Sequence, residues 1–166
     1  MATENLLSTY ITGRDASPTV PIGASIQGGL VRAAYGYVTA GASKDTASTY
    51  RLCSVPSNAR VKSVKLQSGA QGVGCTAGVG VYYSTEKGSA AIDATFFASA
   101  VDVAAAVAET EVKTESGTYT VAKQEQELWQ ALGITADPMC YLDIVITLAA
   151  ATVAGSTFAI NVEFVQ

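Results

Sequence analysis

Ser84-Thr85-Glu86-Lys87 places a lysine three residues after a serine, the spacing at which an amine one helical turn away can activate a hydroxyl nucleophile. No KTG or SDN partner accompanies it, and Gly88 follows at once, so the match is a chance one at a strand end. Glu109, Glu111 and Glu115 lie close together, with Glu125 and Glu127 further on, and paired carboxylates are the apparatus of glycoside hydrolysis. Positions i and i+2 on a helix do not face each other. On a strand Glu109 and Glu111 share a face, but their Thr and Lys neighbours mark a solvated edge. Gly69-Ala70-Gln71-Gly72-Val73-Gly74, with Gly78 beyond, approximates a phosphate-cradling glycine loop. Such a loop must open a helix, whereas Val79-Gly80-Val81-Tyr82-Tyr83 reads as strand, so a glycine-rich β-turn is expected instead.

The chain has no His, which removes Ser-His-Asp and Cys-His catalysis and the usual zinc sites. Cys53, Cys75 and Cys140 are odd in number and widely spaced, so they form no disulfide framework and no CxxC pair; buried free thiols are expected. No catalytic residue, metal site or cofactor is therefore assigned, and the chain is read as a non-enzyme. Eight Tyr are present, and Tyr35, Tyr37, Tyr50, Tyr82, Tyr83 and Tyr119 offer rings for an interface or for carbohydrate stacking, although strand preference accounts for most of them.

A net charge of −4 with only 14% charged residues argues against a nucleic-acid or anionic-membrane partner. The charge is uneven. Residues 1–83 carry seven bases and three acids, and residues 84–166 carry three bases and eleven acids. Two differently solvated faces, or complementarity between neighbouring subunits, would each account for that. The N-terminus lacks a basic and then apolar leader, so synthesis and retention in the cytosol are expected. The charge-free run Ile144–Val162 contains Gly155, Ser156, Asn161 and three Thr, and reads as two strands and a turn rather than a membrane span.

The elements that must position these residues are mostly strands. Val outnumbers Leu 18 to 9, and short β-type runs recur between turn signals: Leu30–Val38, Thr49–Val55, Val61–Leu66 and Gly78–Ser84, with Ala94–Val103 and Thr110–Thr114 weaker. Ala104-Ala105-Ala106 would suit a helical turn equally well. Leu142, Ile144, Ile146 and Leu148 alternate with other residues, as do Phe158, Ile160, Val162 and Phe164, giving each strand one apolar face. The link between them fits a hairpin or two strands in facing sheets. One helix is expected over Ala122–Leu132, capped by Gly133, with Val121, Leu128, Trp129 and Leu132 towards the core. Residues 1–29, rich in Gly, Pro, Ser and Thr, read as an extended N-terminal arm, and residues 30–166 as one all-β domain: a β-sandwich, with a jelly roll as one form of it.

Ser48–Val61, Gly80–Ser84, Phe96–Ala100, Glu115-Ser116-Gly117 and Leu128–Pro138 together resemble small virion structural proteins of tailed bacteriophages. The resemblance implies a capsid decoration, or cement, protein on the outer surface of the virion, bridging subunits of the major capsid protein and assembling with itself as a homotrimer. A tail, portal-vertex or fibre component, or a receptor- or glycan-binding module on the particle, is the alternative. On the decoration reading Leu6, Leu7, Tyr10 and Ile11 anchor the arm on a neighbour, and Arg51, Arg60, Lys62 and Lys65 meet acidic shell or neighbour surface.

Overall fold

The computed structural model describes residues 8, 11, 12, 15–21, 23, 24, 28–41, 47–150 and 153–166. Eight strands are present among them: β1 (Val31–Thr39), β2 (Thr49–Pro56), β3 (Arg60–Ser68), β4 (Thr76–Tyr83), β5 (Ala91–Asp102), β6 (Val107–Glu111), β7 (Tyr141–Leu148) and β8 (Thr157–Val165). They form two four-stranded antiparallel sheets, ordered β1-β8-β3-β6 and β2-β7-β4-β5, that face each other as a sandwich. Every connection except the β4–β5 hairpin crosses from one sheet to the other. The last two apolar runs therefore lie in facing sheets and do not form a hairpin. Of the weaker runs, Ala94–Val103 falls in β5 up to Asp102, whereas Thr110–Thr114 is strand only at Thr110 and Glu111, the end of β6, and turns from Lys113 on; Ala104 and Ala105 form a bend between the two strands.

The alternation of β8 sends Phe158, Ile160, Val162 and Phe164 into the core, against Leu142, Ile144, Ile146 and Leu148 of β7. Tyr50 of β2 stacks on Phe158 across the sandwich, with ring centroids 5.1 Å apart. At one rim β1 crosses β2 so closely that a Cβ on Gly36 would lie 1.7 Å from the Leu52 carbonyl oxygen, so only glycine fits there. β5 carries extra residues between its pairings Val79↔Ala98 and Val81↔Asp93. That bulge buries the consecutive Phe96 and Phe97, and it presses Ala94 onto Gly80, where a Cβ would come within 2.3 Å of the Ala94 carbonyl carbon.

The β6–β7 connection closes one end of the sandwich. Tyr119 packs on Phe96 and Phe97, with centroids 5.5 Å from each, and its hydroxyl donates to the Val61 carbonyl at 3.2 Å. The helix expected over Ala122–Leu132 is not continuous. A 3₁₀ turn at Val121–Glu125 is followed by extended Gln126 and Glu127, and then by a single α turn, Leu128–Ala131. The cause is tertiary. The N–H groups of Leu128 and Trp129 donate to Ala59 and Ser57 in the β2–β3 turn, at 2.8 and 3.0 Å, and a capping box between Glu127 and Gln130 starts a new helix at that point. Leu128 is buried and Trp129 half-buried, but Val121 is 82% exposed and does not share their face. Gly133 does end the helix, at φ +76°.

Of the expected arm, Leu6, Leu7 and Tyr10 lie outside the described residues. Ile11 is half-buried and helical, not extended. Ser8 accounts for this, because its Oγ accepts the Ile11 N–H at 3.4 Å and its carbonyl accepts that of Thr12 at 2.9 Å.

Candidate interaction surface

The four cations expected to face a partner are not gathered in one place. Arg51 lies on β2, while Arg60, Lys62 and Lys65 lie on β3 in the other sheet. Arg51 is a clamp: Nη1 donates to Asp143 Oδ2 at 2.7 Å and to the Tyr83 carbonyl at 2.9 Å, and Nη2 donates to the Ser89 carbonyl at 2.8 Å. Ser54 donates to the other Asp143 oxygen at 2.8 Å, and the guanidinium stands 5.4 Å from the Tyr82 ring centroid. Arg60 donates from Nε to the Glu125 carbonyl at 2.8 Å and approaches Glu127 at 3.7 Å. Lys65 is 3.5 Å from Glu109. Lys62 is half-buried, and its ammonium makes no ion pair among the described residues. Each of the three described ion pairs joins a base of the first half to an acid of the second, because the strand order interleaves the halves. Much of the sequence's charge asymmetry is thus matched inside one chain.

Five other carboxylates among the described residues accept backbone N–H groups. Glu111 accepts from Ser63 Oγ, the Val64 N–H and the Lys113 N–H, at 2.5, 2.9 and 3.1 Å, and so holds the irregular stretch of β3 against β6. Glu115 accepts the Ser99 N–H at 2.5 Å, on the strand that carries the β5 bulge. Asp93, Asp102 and Asp137 each accept an N–H two residues on. Ser84 and Lys87 sit in a 3₁₀ turn in which the Lys87 N–H donates to the Ser84 carbonyl at 2.9 Å. The Gly69–Gly74 stretch leads into β4, with Gly72 and Gly74 at positive φ, as a turn and not as the start of a helix. Burial, and then the Asp143 charge, push the Cys53 thiol up to about 12; burial raises Cys140 as well. Among the described residues no group of three His, Cys, Asp or Glu side chains converges. No helix among them is long and apolar enough to cross a membrane.

The exposed large apolar side chains among the described residues include three of the tyrosines, beside Leu30, Met139 and several Val. Tyr82 and Tyr119 are buried and Tyr50 and Tyr83 half-buried, but Tyr35 and Tyr37 stand 63% and 70% exposed on the outer face of β1. They flank a groove of about 560 Å³ that runs over Gln67 and Ala159 towards Ala106 and Ala108. At the other end of the strands Met139 and Tyr141 form a second exposed pair, 87% and 62% open, which the sequence did not single out. Met139 is held there at φ +46° by its N–H bond to Asp137, whose carboxylate also accepts from Ser57 Oγ at 2.5 Å. The i, i+2 spacing of Tyr35 and Tyr37 was the available signal for the first pair. Nothing local in the sequence marks the second, which depends on a left-handed residue set by a contact with the β2–β3 turn.

No family model matches the chain, and neither does any curated protein. Solved structures do. A chain in the structure described as the capsid of Ralstonia phage GP4 aligns with a TM-score of 0.60 at 16% identity, over 88% of this chain and 89% of that one. This is a fold found in phage capsids. A chain from the cyanophage Pam1 capsid asymmetric unit aligns with a TM-score of 0.51 at 20% identity, over 82% of this chain and 85% of that one. At such identities the likeness is one of fold. It covers 82–88% of this chain and 85–89% of the other chains.

Proposed function

We propose that this chain is a non-enzymatic structural protein of a tailed-phage virion, binding the outside of the capsid shell and bridging capsid subunits as a decoration protein. The observation that carries the reading is the near full-length match in fold to a chain of a phage capsid. We read the strand orders β1-β8-β3-β6 and β2-β7-β4-β5 as those of an eight-stranded jelly roll, an architecture that viral capsid domains use, and that reading supports the proposal. The spending of the Glu and Asp side chains on backbone closure also favours a scaffold over a reaction centre.

On this reading the chain acts as a homotrimer, and many modest contacts add through multivalency. The arm, residues 1–29, reaches a neighbour with Leu6, Leu7, Tyr10 and Ile11 as anchors. Lys62 is the β3 cation best placed to meet an acidic partner, whereas Arg51, Arg60 and Lys65 present only the part of their charge that internal acids leave unmatched. The test is the copy number of this chain relative to the major capsid protein in gradient-purified virions. A ratio near one supports decoration of the whole shell, a few to a few dozen copies indicates a vertex, portal or tail part, and absence from the particle overturns the reading.

A further inference from the structure

The groove beside Tyr35 and Tyr37 continues along the outer face of its sheet as far as Lys65 and Asn161. Tyr35, Gln67 and Ala159 also line a second depression, of about 230 Å³, with Lys65, Glu109 and Asn161. The register places these residues side by side: Tyr35 pairs with Asn161 and Tyr37 with Ala159 between β1 and β8, and Lys65 pairs with Asn161 and Gln67 with Ala159 between β8 and β3. One wall is therefore two tyrosine side chains, rooted about 6.8 Å apart along the strand at two residues' rise. The floor is small side chains and amides, and the far wall carries the Lys65–Glu109 pair.

Two facts about the polar groups narrow the occupant. The Gln67 and Asn161 side chains make no hydrogen bond to another described residue, and the Lys65–Glu109 pair is long, at 3.5 Å, and open to water. An apolar protein surface laid here would strip water from two amides and an ion pair without replacing it. A hexopyranose chain suits all of them at once, because its C–H faces lie on exposed rings and its vicinal hydroxyls both donate and accept. We infer that this face is a saccharide-binding groove for a neutral hexopyranose chain, with Tyr35 and Tyr37 as stacking platforms and Gln67, Asn161, Lys65 and Glu109 as hydroxyl partners. The inference does not rest on the capsid reading, and copy number in the virion leaves it untouched.

The experiment is an NMR titration of the isotopically labelled full chain with maltohexaose, cellohexaose and hexa-N-acetylchitohexaose. At least one probe is expected to shift backbone signals confined to residues 35–37, 65–67, 107–109 and 159–161. Tyr35→Ala with Tyr37→Ala, and separately Gln67→Ala, should each weaken that binding at least tenfold, while the remote Tyr141→Ala leaves it unchanged. The changed side chains are exposed, and each variant's own spectrum reports whether the sandwich is intact. Absence of shifts with all three probes overturns the assignment, as does binding that survives both groove variants. Loss of the groove signals on adding purified shells, with none on adding sugar, also overturns it and makes the face a protein contact.

Discussion

Asp143 is nearly buried and balanced by Arg51 and Ser54, so Asp143→Asn removes the charge that holds a guanidinium against the sheet. Because Arg51 keeps about a third of its side chain in water, the expected cost falls below that of a fully buried broken pair, at about 1–3 kcal/mol, read as a lower urea midpoint at unchanged m-value. Cys53 and Tyr119 give a second prediction. Their folded values, about 12 for each, lie above the ordinary 9.0 and 10.0, so the folded chain keeps protons that the unfolded chain releases. Stability from this source is complete below about pH 9 and is lost as pH rises towards 12, so thermal midpoints should fall through that window. Cys53→Ala should make the fall shallower. An equal fall in the variant would assign alkaline unfolding to other groups.

Gly80 shows what an element demands. With the Ala94 backbone pressed on it, Gly80→Ala must shift the β5 bulge, and a loss of about 1–3 kcal/mol is expected by calorimetry; wild-type stability would mean that the bulge is soft. The bulge also shows where reading the sequence stops. β8 was plain because only one of its faces is covered, so apolar and polar residues alternate. β5 was weak because Phe96 and Phe97 are adjacent and both buried, which no period-two pattern allows. The segment from Val121 to Ala131 has the composition of one helix, and it breaks because Leu128 and Trp129 bond to a turn some seventy residues earlier in the chain. The acids were legible as residues of interest and the tyrosines as candidate platforms. Which acids close backbone and which tyrosines stay wet are consequences of strand register, and no local spacing encodes them.

For the whole molecule, both sheets are complete without residues 1–29. Deleting residues 2–28 is therefore expected to leave the sandwich folded, by circular dichroism and a cooperative melt, while lowering occupancy on shells in a co-sedimentation assay. Unchanged occupancy would remove the arm from the proposed attachment. β1 has β8 as its sole sheet neighbour, and β8 also separates β1 from β3. Those paired strands are about 120 residues apart, which makes contacts of the kind that close late and slowly. At ordinary rates of synthesis the ribosome needs on the order of ten seconds to carry the chain from one to the other. Through that interval the tyrosine-bearing strand has no hydrogen-bonding neighbour, and the sheet it belongs to cannot form until the final strand emerges. Folding of this sandwich is thus an event at the end of translation, and a ribosome that stalls before residue 157 leaves an open strand for other nascent chains to pair with.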